Sequence, residues 1–370
     1  MIQITCRACR GHDGAVVLDL GNQPASDSFP EASDPGPDPV YPLQMWLCST
    51  CGLAQLVADP TVPAEPRGAE PAALVAQAAE AVGRVQAAGL LPVGATVGEY
   101  GSPHGGSWQQ LLADRGLKPV ADTEPADVII DCFGMMHAAD QHAALAARTA
   151  RLNSGGVLLL QYHSLETIVR HGQWNALRHG HYAYYSTTAL TNILTAHGLR
   201  PRTAWRFDLY GGTVLLAVSA AGEGFAGPDA VIHSLLASEA RTGVLDPTVL
   251  AGLQHDTERR AVSLRDWLAA ERAAGRTVLG YGAASRAVAL LCQAGIDSSL
   301  LPGIVDASPG KHGLRMPGSD IPVLDTAALR AARPDSALLF VADLLTEVRA
   351  DFPEVEAAGG RWVIADTIGS

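Results

Sequence analysis

The chain has 370 residues, 48% hydrophobic and 17% charged, a composition that excludes intrinsic disorder and leaves room for two or three domains with sizeable cores. Its formal charge of −12, from 26 Lys+Arg against 38 Asp+Glu, offers no global attraction to nucleic acid or to an anionic membrane. No apolar run reaches the roughly 18 residues of a membrane helix and MIQITCRACRG is not a secretion signal, so the sequence predicts a cytoplasmic protein with no nucleic-acid and no membrane partner.

Residues 1–57 alternate short apolar runs with turn residues, and PEASDPGPDPVYP (30–42) holds too much proline for regular structure. They predict a small domain without a core of its own. Four of the six cysteines, Cys6, Cys9, Cys48 and Cys51, form two C-x-x-C pairs, a spacing that in an intracellular chain favours a metal over disulfides. Four thiolates in tetrahedral array favour zinc, and a complete ligand set leaves no open position, so the zinc is expected to be structural. Residues 58–70 (ADPTVPAEPRGAE) read as a linker.

An Ala-rich helix over 71–90 opens the next unit, 71–229. Short β-like runs (TVGEYG, DVIIDCFG, GGVLLLQYH) then alternate with helical ones (WQQLLADRG, QHAALAARTARL, TTALTNILTAHG), and TAWRFDLYGGTVLLAVS closes the unit as a hairpin. Alternation of this kind predicts a doubly wound α/β sheet. Residues 230–274 read as a helical bridge, and TVLGYGAAS, PGIVDAS, ALLFVADLL and WVIADT make a second Rossmann-like α/β unit, so that 230–370 forms the C-terminal domain.

The segment Gly94 to Gly106 contains a strand and opens onto a helix, so its glycines let backbone approach a nucleoside-like ligand. Its order, E-x-G-S-x-x-G, differs from G-x-G-x-x-G and suits the first motif of class I S-adenosylmethionine methyltransferases, which puts forward Glu99, Gly101, Ser102 and Gly105. His163, His171, His179 and His181 cluster, with His137 and His142 before them. His179 and His181 share one face if extended, whereas His142, His171 and His197 read as surface or satisfied core residues. A second metal site from this cluster with Cys132 matches no familiar spacing. In the last unit Gly280 to Ser285 looks like a dinucleotide turn without its final glycine. Asp306 is read as either a ribose ligand or a turn cap, and Arg286 and Lys311 as facing a diphosphate or serving structure.

The whole chain resembles the sugar C-methyltransferases of deoxysugar biosynthesis. The resemblance rests on Leu20-Gly21-Asn22-Gln23-Pro24 in the cysteine-bearing domain, on Glu99-Tyr100-Gly101-Ser102-Pro103-His104-Gly105 against the family's E-I-G-S-N-D-G, and on Tyr162-His163. It continues through Arg178-His179-Gly180-His181-Tyr182-Ala183-Tyr184-Tyr185-Ser186 against Y-H-E-H-F-S-Y-F-S, then Gly280-Tyr281-Gly282-Ala283 and Val305 to Gly313. It implies a zinc domain, a methyltransferase domain binding S-adenosylmethionine, and a C-terminal domain that helps hold a nucleotide-linked ketosugar. It further implies His181 as the base, with His163, His179 and Tyr184 shaping the enolate site and Arg178, Tyr281, Arg286, Asp306 and Lys311 toward the substrate.

Departures fall on functional positions. Arg178 and Gly180 replace the Tyr and Glu of Y-H-E-H, His104 replaces an acid, and ADPTVPAEPRGAEP lacks the family's tyrosines. Only about 20 residues separate the glycine turn from DVIIDCFG, too few for the helix, strand, helix and strand that normally intervene, which leaves Asp122 or Glu124 as substitute for the ribose-binding acid. Two alternatives stay open: a repurposed relative doing cofactor-free acid/base chemistry at the histidines, and a non-catalytic accessory subunit of a partner enzyme.

Overall fold

Three sheets carry the fold of the computed structural model, which describes residues 3–34, 36–61, 70–101, 106–222 and 227–369. The glycine-turn candidates Ser102 and Gly105, together with His104 and most of the expected linker, lie outside the described residues. The first sheet begins with the antiparallel strands β1 (Gly14–Pro24), β2 (Val40–Cys48) and β3 (Ala54–Leu56).

The middle unit runs α1 (Ala72–Ala87), β4 (Thr96–Tyr100), α2 (Gln109–Ala113), β5 (Lys118–Pro119), β6 (Ala126–Cys132), α3 (Gln141–Arg151), β7 (Leu152–His163), α4 (Leu165–Arg170), β8 (Ala183–Tyr184), α5 (Thr187–Ala196), β9 (Leu199–Phe207) and β10 (Thr213–Ala220). Its sheet has the order β5-β4-β6-β7-β10-β9, parallel through β7 and closed by the expected antiparallel hairpin β9–β10. Strand β8 is absent from this order. It pairs instead with β3, Ala54 opposite Tyr184 and Gln55 opposite Ala183, and so becomes the fourth strand of the first sheet.

The short spacing after the glycine turn has the expected result: β5 is two residues long and the chain passes directly from it into β6. Two arginines of α3 cover the vacated face. Arg151 donates from Nη2 to the Ala121 carbonyl (3.1 Å) and from Nε to that of Glu124 (3.1 Å), and the guanidinia of Arg148 and Arg151 lie 4.1 and 5.0 Å from the Tyr100 ring centre. A Cβ at Gly98 would come within 2.5 Å of Arg151 Nη2, so this strand position admits no side chain while the arginine is in place.

The last unit comprises α6 (Ala230–Thr242), α7 (Pro247–Ala273), β11 (Val278–Tyr281), α8 (Ser285–Ala294), β12 (Ile304–Val305), β13 (Val323–Leu324), α9 (Thr326–Ala332), β14 (Ser336–Leu339), α10 (Leu345–Asp351), α11 (Glu354–Ala357) and β15 (Arg361–Ile364). Its sheet, β13-β12-β11-β14-β15, is parallel throughout. Helix α6 starts on Asp229, whose carboxylate accepts from the Val231 and Ile232 amides, and stops at Gly243 in the left-handed region; α7 then starts on the Asp246 cap with Pro247 at its first position.

The cysteine-bearing domain, too small for a core, shares one. Leu18, Leu43, Met45 and Leu47 of β1 and β2 join Leu250, Leu253 and Leu264 of α7 and Leu291 of α8 in a single buried cluster. A polar clamp reinforces the junction: Arg315 donates from both terminal nitrogens to the Asp38 carboxylate (2.7 Å each) and from Nε to the Asp34 carbonyl (2.7 Å). Arg315 is 3% exposed, so removing it leaves the Asp38 carboxylate, 12% exposed, without its ion partner and with the Gly318 amide (2.7 Å) as its remaining donor. Arg315→Ala is therefore expected to cost about 3 kcal/mol or more. A Tm within one or two degrees of wild type in a thermal melt would contradict that accounting.

Candidate functional site

The four cysteine sulfurs converge, all lying within 4.8 Å of one another. Cys6 to Cys51 and Cys9 to Cys48 are each 3.6 Å between sulfurs, close to the ~3.8 Å edge of a tetrahedron with zinc–sulfur bonds of about 2.3 Å. Both pairs use one turn: the residue after the second cysteine, Arg10 or Gly52, takes a positive φ (65° and 80°), and an amide closes back onto the first cysteine's carbonyl. The donor set fits zinc with no position left for substrate. Among the described residues no other group of His, Cys, Asp and Glu gathers in this way.

The cysteine knuckles are tied to the second site through β3. Gln55 accepts from the Arg7 amide (2.7 Å) and donates to the Thr5 carbonyl (3.0 Å), Arg7 Nε donates to the Leu56 carbonyl (3.2 Å), and the Arg7 guanidinium stands 4.7 Å from the Tyr182 ring centre. On its other edge β3 holds β8.

That second site is a cleft of about 250 Å³ between the carboxyl ends of the two parallel sheets, where open α/β folds collect ligands. From the middle unit, β7 presents His163, the turn before β8 presents Arg178 and His181, β8 presents Tyr184, the end of β6 presents Phe133 and Met136, and the β9–β10 connection presents Tyr210. Facing them, the last unit brings Tyr281, Arg286, Asp306 and Lys311. His179 does not line this cleft. Gly180 between the two histidines has φ +80°, so the segment turns instead of extending; His179 packs on Tyr41 and the Pro42 carbonyl of β2, and His181 faces the cleft.

The polar cleft groups of the middle unit have defined partners. Arg178 Nε donates to His181 Nε2 (2.8 Å), Tyr184 Oη accepts from the Arg178 amide (3.1 Å), and the rings of His181 and His137 meet edge to face at 4.4 Å. His137 Nδ1 donates to the Gly180 carbonyl (2.9 Å), and Asp59, just after β3, accepts from the Gly180 amide (2.5 Å). His163 Nε2 bonds Gln173 Oε1 (3.0 Å). Burial, with Arg286 and Arg178 next in weight, pushes His163 down to about 3; burial and Arg178 push His137 down to about 4. Burial raises Tyr184 and Tyr281, the latter to about 12.

In the last unit Asp306 caps its own turn, accepting from the Ala283 and Ser308 amides (2.8 Å each), and Lys311 Nζ donates to the Ala283 carbonyl (2.9 Å). Arg286 is different: Nε and Nη2 are buried without a hydrogen bond, and its nearest carboxylate, Asp366, stands 3.6 Å away. At the opposite end of the cleft lie Glu70, Pro71 and Leu74 beside the glycine turn. Among the described residues, Glu99 and Gly101 are not part of the cleft lining: Glu99 accepts from the Trp108 amide (2.7 Å) and Ser107 Oγ (2.6 Å), and a Cβ on Gly101 would meet nothing within 4 Å. Of the two acids after β5, Glu124 accepts from the Ala121 amide (3.2 Å) and is absorbed in its own turn, whereas Asp122 stays exposed. Sequence reasoning assigned no role to Gln173 or Tyr210. The doublet Gly211-Gly212 after Tyr210 was the available signal of an unusual backbone there.

Comparison with known proteins places the whole chain. A zinc binding domain model matches residues 6–65, a methyltransferase domain model residues 47–204 and a C-methyltransferase C-terminal domain model residues 208–365. Together the three models span residues 6–365 in the order zinc binding domain, methyltransferase domain and C-methyltransferase C-terminal domain. Among curated relatives, C-methyltransferase NovU of Streptomyces niveus is 24% identical over 97% of this chain and 94% of its own length. Among solved structures, magnesium protoporphyrin IX methyltransferase of Synechocystis PCC 6803 with bound SAH is 13% identical, covers 40% of this chain and 84% of its own, and has a TM-score of 0.31. An O-methyltransferase family protein of Burkholderia thailandensis, also 13% identical, covers 41% and 58% with a TM-score of 0.29.

Two expectations follow from this geometry. Stripping the metal with a chelator should raise amide hydrogen exchange at 54–56 and at 178–185 as well as at the knuckles, because β8 depends on β3; exchange changes confined to the cysteine loops would show the two sites to be independent. His137 and His163, held neutral in the fold, contribute stability that is complete above the ordinary histidine value of about 6.5 and is lost as the pH falls toward 4 and 3. Each group should remove up to about 1.4 kcal/mol per pH unit in that window. A melting temperature unchanged between pH 7 and pH 5 would refute this.

Proposed function

We propose that the chain is an S-adenosylmethionine-dependent C-methyltransferase acting on the carbon next to a ketone of a nucleotide-linked sugar or related carbonyl metabolite, with His181 as the proton acceptor. The observation that carries this reading is the meeting, in one cleft, of an imidazole and a guanidinium (His181 and Arg178) with a buried arginine whose donors are unmet (Arg286).

Removing a proton beside a ketone needs a base and a positive or hydrogen-bonding partner for the developing enolate oxygen. His181 accepts from Arg178 through Nε2, so in the neutral ring this nitrogen carries the lone pair. A carbonyl substrate competes for Arg178. Once the guanidinium turns to the substrate oxygen, the Nε2 lone pair is released toward the α-proton, so one movement supplies both base and enolate partner. Tyr184 limits that movement, since its hydroxyl holds the Arg178 amide. At the far side the unmet donors of Arg286, with Lys311 nearby, suit the charge of a diphosphate.

Glu99 and Gly101, at the end of β4, would hold the cofactor together with Phe133 and Met136 of the cleft wall, and the exposed Asp122 is the acid we assign to its ribose. When bound, S-adenosylmethionine supplies an electrophilic methyl group. NovU, a relative along nearly the full length, carries the name of a C-methyltransferase, which supports the reading.

Calorimetric titration of the zinc-loaded chain with S-adenosylmethionine and with S-adenosylhomocysteine is expected to give micromolar binding; a folded protein that releases no heat with either would overturn the cofactor assignment. In methyl transfer from labelled cofactor to a panel of nucleotide-linked ketosugars, His181→Ala should fall by about 10²-fold or more while cofactor binding is kept. Unchanged turnover would remove His181 from the role of base.

A further inference from the structure

His163 stands at the end of β7 with one nitrogen committed. Its Nε2 faces Gln173 Oε1 at 3.0 Å, and the identity of that oxygen is fixed from the other side, because Gln173 Nε2 donates to the Tyr210 carbonyl at 3.3 Å. A flipped amide would set its oxygen against that carbonyl, losing the Tyr210 bond and putting two acceptors in contact.

The carbonyl is itself held in place. Tyr210 sits in the left-handed region (φ 56°, ψ 25°), its amide donates to Asp343 of the last unit (3.0 Å), and its ring meets Phe133 edge on at 5.7 Å. Gly211 leaves room for the glutamine, since a Cβ there would lie 2.5 Å from Gln173 Nε2. The Gln173 backbone N–H donates to the Ile168 carbonyl (2.9 Å), and the residue is 8% exposed. Among the described residues no hydrogen bond reaches Nδ1 of His163, and His163 lines the cleft.

We propose that Gln173 is a positioning residue that fixes His163 as the tautomer with its hydrogen on Nε2, so that Nδ1 presents only an acceptor to the cleft. The inference rests on the reading of the cleft as a reaction site, and it assigns His163 a task distinct from that of an enolate partner. A ring in this state takes a hydrogen bond from a substrate hydroxyl or amine and repels an enolate oxygen. It selects substrates that place a donor there. Burial and the nearby Arg286, Arg178 and His171 keep the ring neutral, which is what makes its tautomer matter.

The test needs neither cofactor nor substrate, so it stands or falls separately from methyl transfer. In the full-length, zinc-loaded chain with ¹⁵N-labelled histidine, His163 is assigned by its disappearance in His163→Asn, and long-range proton–nitrogen spectra read which ring nitrogen bears hydrogen. The expected result is one tautomer, protonated at Nε2, from pH 8 to pH 5. Gln173→Leu should release the ring into a mixture of tautomers. Gln173→Glu, a carboxylate at the same place, should raise the titration of His163 by about two pH units. The signals of His142 and His197, paired on the surface away from the cleft, report that each variant is folded. Hydrogen on Nδ1 in the wild type, or a titration in Gln173→Glu equal to that of wild type, would overturn the proposal even if Gln173→Leu failed to fold.

Discussion

Two residue pairs, Ala54 with Tyr184 and Gln55 with Ala183, carry the first sheet across into the turn that lines the cleft. A three-residue strand and a two-residue strand have almost no stability alone. β3 exists because the cysteine knuckle and β2 hold it, and β8 exists because β3 does. The turn that carries Arg178 and His181 hangs from β8, with Asp59 fastening the Gly180 amide from the same direction. A zinc ion held by the four sulfurs would therefore act on the cleft through backbone pairing, at a distance and without a ligand in it. Its binding would supply folding free energy, part of it spent in ordering the loop where the proposed chemistry occurs.

The middle unit shows how a doubly wound sheet survives truncation. Loss of a strand and its flanking helices exposes one sheet face and leaves backbone carbonyls without strand partners. Arg151 donates to two of them, those of Ala121 and Glu124 in the connecting turn. Arg148 spans Asp131 and the face of Tyr100, and Asp131 in turn receives the Met135 amide at the cleft (2.9 Å). One layer of secondary structure has been exchanged for two long cationic side chains whose aliphatic stems cover apolar surface. The exchange keeps β4 and β6 in register beside the glycine turn, so the shortened half still delivers Glu99 and Phe133 to the same end of the sheet.

Much of this was legible in the residues. Strand-length apolar runs separated by helical ones specify the two α/β sheets, and the cysteine spacing specifies a four-sulfur site, because both depend on local pattern. The missing strand was legible as arithmetic on the gap between two motifs. What could not be read were features decided by tertiary contact. Ala183–Tyr184 has no strand signature; only its partner makes it one. Gly180 separates His179 from His181 through a backbone angle that extended spacing does not foresee, and the last unit's helices α7 and α8 complete a core begun before residue 50. Gln173 is silent in sequence because its importance lies in which way an amide points.

The shared core has a consequence for the order in which the chain is made. The cysteine knuckles are complete once residue 51 has been synthesised, yet the sheet they anchor lacks its edge until Ala183 appears and its inner face stays uncovered until Leu250 to Leu291 arrive. During that interval Leu18, Leu43, Met45 and Leu47 are open to solvent on a nascent chain, a state prone to aggregation. An early bound ion would hold this segment near its final shape while it waits. On that view the metal guards the interval of synthesis as much as the finished fold, and its supply sets how much of the newly made chain reaches the native state.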